Sequence, residues 1–104
     1  DDELALALYN DINGQELSEM EAFLLRFHYS GVFQKWLWEF RQSKNGLIPE
    51  ADLPVAFMAE TLNSRPLMLA LYRDQQFTEQ YPEEFLEFLD EKVAKRKSPQ
   101  FERP

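Results

Sequence analysis

Cysteine is absent from this 104-residue chain. That excludes disulfides, thiol catalysis and cysteine-ligated zinc or iron–sulfur sites, and it fits a reducing, cytoplasmic setting. Glycine occurs only three times and β-branched residues are sparse, both of which lean toward helix. No apolar run approaches the roughly 18 residues needed to cross a bilayer, and no signal peptide is visible, so direct membrane insertion by this segment is not expected. Basic residues are also few, eleven against nineteen acids, for a net charge of -8. Such a surface repels phosphate backbones and anionic lipid, so nucleic acid is not an expected ligand. It suits either a simple self-repelling surface or the docking of a basic partner.

What is present is a hydrophobic fraction of 44% with 14% aromatics, enough for a folded core in one domain. The chain is organised around Ser18 to Lys44, which holds both tryptophans. Ser18-Glu19-Met20-Glu21 reads as a capping box, with Leu17 placed to staple onto the first turns. Lys44 followed by Asn45-Gly46 reads as a left-handed stop. The stretch between them is about seven helical turns.

At 100° per residue this helix has distinct faces. Ala22, Leu25, Tyr29, Val32, Phe33, Trp36 and Phe40 form a core stripe. Met20, Leu24, Phe27, Gly31 and Trp38 gather on nearly the opposite side. Glu21, His28, Lys35, Glu39 and Gln42 form a polar arc between them, and Arg26, Ser30, Gln34 and Arg41 the other flank. A helix apolar on two sides is either sandwiched by its own chain or offers one side to another molecule. Phe27, Gly31 and Trp38 are therefore the candidate partner-binding residues. Gly31, costly in mid-helix by roughly 1 kcal/mol, marks a kink or, as the favoured reading, a close approach of another backbone or ring.

Around this helix the chain divides into short units. Asp1 to Asn10 reads as a helix with acids at its N-terminus, broken by Asn10-Asp11-Ile12-Asn13-Gly14. That turn fails as a calcium loop, because glycine falls at position four and Ala22 at position twelve. Pro49 and Pro54 bracket the next start, with Asp52 as a cap and the main helix over 53–62. Asn63 to Pro66 ends one helix and caps another over 67–76. The last helix opens at Tyr81-Pro82, buries Phe85, Leu86, Phe88, Leu89 and Val93, and places Lys92, Lys95, Arg96 and Lys97 at its C-terminal dipole. The expected fold is all-α, a compact bundle of about five helices around the long central one, with a single domain over 1–97 and a C-terminal tail over 98–104.

Candidates for chemistry are thin. His28, the only histidine, has no positioned partner beyond Glu21, which the cap already employs. Glu83, Glu87, Asp90 and Glu91 share one solvated helix face. Neither a Glu-x-x-His pair, nor a phosphate-binding glycine loop, nor a G-x-S-x-G motif is present. No catalytic, metal or cofactor residue is assigned. The expected function is that of a non-enzymatic helical interaction domain, binding a protein partner or itself. The alternative is an acidic inhibitor, of the immunity type or a nucleic-acid mimic, that neutralises a basic target.

Leu17-Ser18 with Glu21, Arg26-Phe27, Phe33 with Trp36, Phe40-Arg41-Gln42, Gly46-Leu47-Ile48 with Glu50, and Tyr81 with Phe85, Phe88 and Leu89-Asp90 form a pattern that resembles an uncharacterised group of small bacterial proteins. In that group a membrane helix precedes a helical cytoplasmic domain. Pro49, Pro54 and Leu71-Tyr72 depart from the pattern. The resemblance implies a helical domain tethered to the inner membrane through a segment not in this chain, and no catalytic residues. The start at Asp1-Asp2-Glu3, without methionine, accords with a processed or excised domain.

Overall fold

The computed structural model describes residues 2–94. Among them there are six α-helices and no strand. The expected Lys95, Arg96 and Lys97 at the last helix terminus and the tail over 98–104 lie outside the described residues. No described helix is long and apolar enough to cross a membrane.

Helix α2 (Glu19–Lys44) is the axis of the molecule, and its ends are fixed by local chemistry. The Ser18 hydroxyl accepts the Glu21 N–H at 3.1 Å, and the Glu21 carboxylate accepts the Ser18 N–H at 2.9 Å. These reciprocal bonds satisfy two amides that the first turn leaves free. At the other end Leu47 N–H donates to Gln42 O and Gly46 N–H to Ser43 O, at 2.9 and 3.0 Å. That pairing is a Schellman stop, and it requires the positive φ of 80° that Gly46 adopts. The helix runs unbroken through Gly31, so it does not divide into two shorter helices there.

Leu25, Tyr29, Phe33, Trp36, Leu37 and Phe40 are buried along one side of α2, with Ala22 and Val32 half-buried beside them. Helices α1 (Asp2–Ile12) and α4 (Pro66–Arg73) pack against α2 and against each other. Rings then tie the far half of α2 to the C-terminal elements. Phe33 meets Trp36 and Phe77 at 5.6 and 5.7 Å between centroids, and Phe40 meets Phe85 and Phe88 at 5.7 and 5.1 Å. Tyr81 joins Phe77 to Phe85. Such offset and tilted pairs add to the area each ring buries.

The connecting elements differ from expectation where a distant residue intervenes. Helix α1 continues through Asn10, Asp11 and Ile12 instead of breaking there, and only Gly14, at φ 70°, turns the chain. The reason is Asp11. Its buried carboxylate accepts the Tyr29 hydroxyl at 2.6 Å and the Leu67 N–H at 3.0 and 3.3 Å. It thus supplies the cap for α4, whose own preceding residue, Arg65, gives no side-chain cap. Asp52 is not a cap either. It sits in a 3-10 turn (Glu50–Asp52), and α3 (Val55–Asn63) starts only after Pro54, whose missing N–H is harmless at a helix entry.

The segment expected as one helix over 67–76 is two. It stops at Arg73, and Asp74 then caps a single turn, α5 (Gln75–Thr78), through the Gln76 N–H at 3.0 Å. The last unit, α6 (Glu83–Phe88), runs into a π-helical turn (Leu89–Val93) in which the Ala94 N–H reaches back to Leu89 O. Phe85, Leu89 and Val93, four residues apart, are all buried. Asp90, within that turn, accepts a hydrogen bond from the Tyr72 hydroxyl on α4.

Candidate interaction surface

Among the described residues, no element covers one side of α2. Met20, Phe23, Phe27 and Trp38 are 59%, 63%, 73% and 59% exposed, and Gly31 and Gln34 are exposed between them. The reason lies in the periodicity. The core stripe faces α1, α4 and the C-terminal helices, which leaves the opposite side of a 26-residue helix to solvent. Phe27, Gly31 and Trp38 therefore lie together on the outer face. Leu24 differs from the rest of its cluster in being half-buried.

A Cβ built on Gly31 would meet nothing within 4 Å. The close approach expected at Gly31 is thus not made among the described residues, and the glycine leaves a gap one turn beyond the Phe27 ring. Phe23 also belongs to the face and was not expected there. At 100° per residue it falls between Phe27 and the Arg26–Ser30 flank, so its helical angle alone does not assign it. Leu6, Tyr9 and Ile12 are exposed along α1, and Leu47 and Phe57 singly elsewhere; some exposed apolar surface is ordinary for a small domain.

A second feature is a cleft of about 400 Å³ between the end of α2 and α6. Phe40, Ile48, Leu53 and Phe88 give it an apolar floor. Glu50, Glu84, Glu87 and Glu91 stand around it, with Lys44 and Lys92 at its edges. The Lys44 ammonium sits 5.5 Å from the centre of the Phe40 ring, a cation–π distance. Among the described residues no group of three or more carboxylates or histidines is arranged to hold a metal ion.

His28 lies on the α2 flank, half-buried, with its ring 5.6 Å from that of Tyr29. Burial and, after it, the nearby Arg65 guanidinium hold its pKa below the ordinary value. Neither influence is a carboxylate partner of the kind a general base uses. Glu21 is occupied as expected. The Ser18 N–H bond and then the Asn10 amide, at 2.8 Å, hold its carboxyl below the usual range. Burial and the Asp11 hydrogen bond push the Tyr29 phenol well above its normal pKa, so it acts as a hydrogen-bond donor within the core. Burial also raises the Tyr81 phenol, an effect the neighbouring Gln34 amide opposes.

Comparison with known protein families, with characterised proteins and with solved structures finds no match for this chain.

Proposed function

We propose that the chain is a non-enzymatic interaction domain whose working surface is the outer face of α2. The observation that carries this reading is the alignment of Met20, Phe23, Phe27 and Trp38, each more than half exposed, along one side of the best-formed helix. Aromatic residues and methionine are the types enriched at protein interfaces. A rigid, capped helix presents them at little entropic cost on binding. On the sequence resemblance, the domain acts on the cytoplasmic side of the inner membrane, held there by a segment outside this chain.

The test is Trp38→Asp in the full chain, with light scattering for oligomeric state and co-purification for partner retention. The fold is checked by circular dichroism. Loss of association with an intact fold is the expected result. Unchanged oligomeric state and unchanged partner retention would count against the surface.

The cleft favours a second reading, an acidic inhibitor of a basic target. Four glutamates around an apolar floor suit a basic segment with an apolar anchor. Its binding is expected to weaken as salt rises and to be lost in Glu87→Lys. Salt-insensitive binding would exclude this reading.

A further inference from the structure

The outer face of α2 has an internal symmetry. Met20, Phe27, Gly31 and Trp38 fall within about 40° of one another around the helix at 100° per residue. Met20 and Trp38 are centred on position 29, and so are Phe27 and Gly31. The face is therefore bulky at both ends, with one ring and one gap placed symmetrically about its middle. A two-fold axis at the level of position 29, on the outer side of the helix, turns this face onto itself.

We propose that the occupant is a second copy of this chain, and that the two α2 helices pair antiparallel so that each Phe27 ring seats over Gly31 of the partner subunit. The proposal rests on the reading of this face as an interaction surface. The same register sets Met20 against the partner's Trp38, a thioether–aromatic contact. It also brings Arg41 to the level of the partner's Leu17, within a turn of exposed Glu16 and Glu19, and so adds charge complementarity at both ends of the stripe. An interface in which i meets j and j meets i is the isologous form that closes as a dimer.

Gly31 has the shape this pairing requires. Among the described residues nothing outside its own stretch of helix lies within 4 Å of a Cβ placed there, so the gap has room for a second molecule. From Met20 to Trp38 the stripe is about 27 Å long. Its side chains Met20, Phe27 and Trp38, with Phe23 beside them, expose roughly 500 Å² per copy, taking such side chains at their usual areas. A standard interface buries about 800 Å² per partner, so the stripe supplies most of a small interface and the flanking charges the rest. The dimer is accordingly weak, with a Kd on the order of 10–100 µM. Each copy carries a net charge of -8, and the resulting repulsion makes the dimer tighten as salt rises. A basic partner held by charge would respond in the opposite direction.

Sedimentation equilibrium of the full chain, from micromolar to millimolar, tests this directly. The expected result is a monomer–dimer equilibrium that tightens with salt. Phe27→Gly leaves two gaps facing each other, and Gly31→Phe sets ring against ring. Each variant alone is expected to lose at least tenfold in association. Mixed at equal concentration they restore a one-to-one heterodimer, because every contact again matches a ring with a gap. Phe27→Ala serves in place of Phe27→Gly if the latter loses helix by circular dichroism.

A wild type monomeric throughout would overturn the second copy as occupant. The surface itself would then be judged separately, by partner retention in Trp38→Asp. A dimer that survives both single substitutions, or variants that stay monomeric when mixed, would overturn the antiparallel pairing.

Discussion

Asp11 is the polar residue whose loss this structure makes costly. Its carboxylate is 2% exposed and holds three elements together, accepting the Tyr29 hydroxyl of α2 and the Leu67 N–H of α4 from its own place on α1. Asp11→Ala removes both bonds and leaves a buried phenol and a helix-terminal amide without an acceptor. A hydrogen bond to a charged group contributes about 1.5–3 kcal/mol, and an orphaned buried donor costs a further share. The expected loss is about 3–5 kcal/mol, from a domain whose total is about 5–15 kcal/mol. In melting temperature this is a fall of roughly 15–30 °C.

Urea unfolding followed through Trp36, which is buried in the core, gives the measurement. The midpoint should fall while the slope stays the same. Tyr29→Phe completes a double-mutant cycle with an expected coupling of about 1–3 kcal/mol. A loss below about 1 kcal/mol in Asp11→Ala, or a coupling near zero, would refute the role of Asp11 as the shared acceptor.

Two further outcomes follow from the same structure. Gly31→Ala should stabilise the monomer by up to about 1 kcal/mol, because a helix interior favours alanine and the added methyl meets no atom; destabilisation at low protein concentration would mean that the site is covered. The folded-state pKa of His28 lies below its ordinary 6.5, so on acidification the unfolded chain takes up this proton first. The stability His28 contributes is full above about pH 6.5 and is lost as pH falls through the folded value. His28→Gln should therefore flatten the fall in urea midpoint between about pH 7.5 and 5, and an unchanged slope would contradict the assignment.

Features specified within a few residues were legible in the sequence. The capping box at Ser18 and the Asn45-Gly46 stop each depend on side chains and φ angles local to the helix end, and both limits of α2 follow from them. The core stripe followed from periodicity, although Leu37, also buried, was not placed in it. The relations across long separations were not legible. Asn10 to Gly14 has the composition of a turn, yet Asp11 stays helical because its carboxylate is needed by a backbone amide 56 positions away. Asp74 could have been read as a cap, but the apolar run before it masked the break. Phe27, Gly31 and Trp38 were placed on one face by angle alone. Which of the two apolar sides of α2 the chain would cover depended on where α1, α4 and α6 dock, and no local signal carries that.

The π-helical turn at Leu89–Val93 has a consequence for the lineage of this chain. Its i→i+5 hydrogen bond encloses one residue more than the α-helical ring, so the turn is equivalent to a single-residue insertion in an otherwise regular helix. Leu89 and Val93 at its ends are buried, and Asp90 within it takes its place beside Tyr72. Any relative with a regular helix in its place is therefore expected to be one residue shorter between positions 88 and 94. Such a relative should also lack the Asp90–Tyr72 bond.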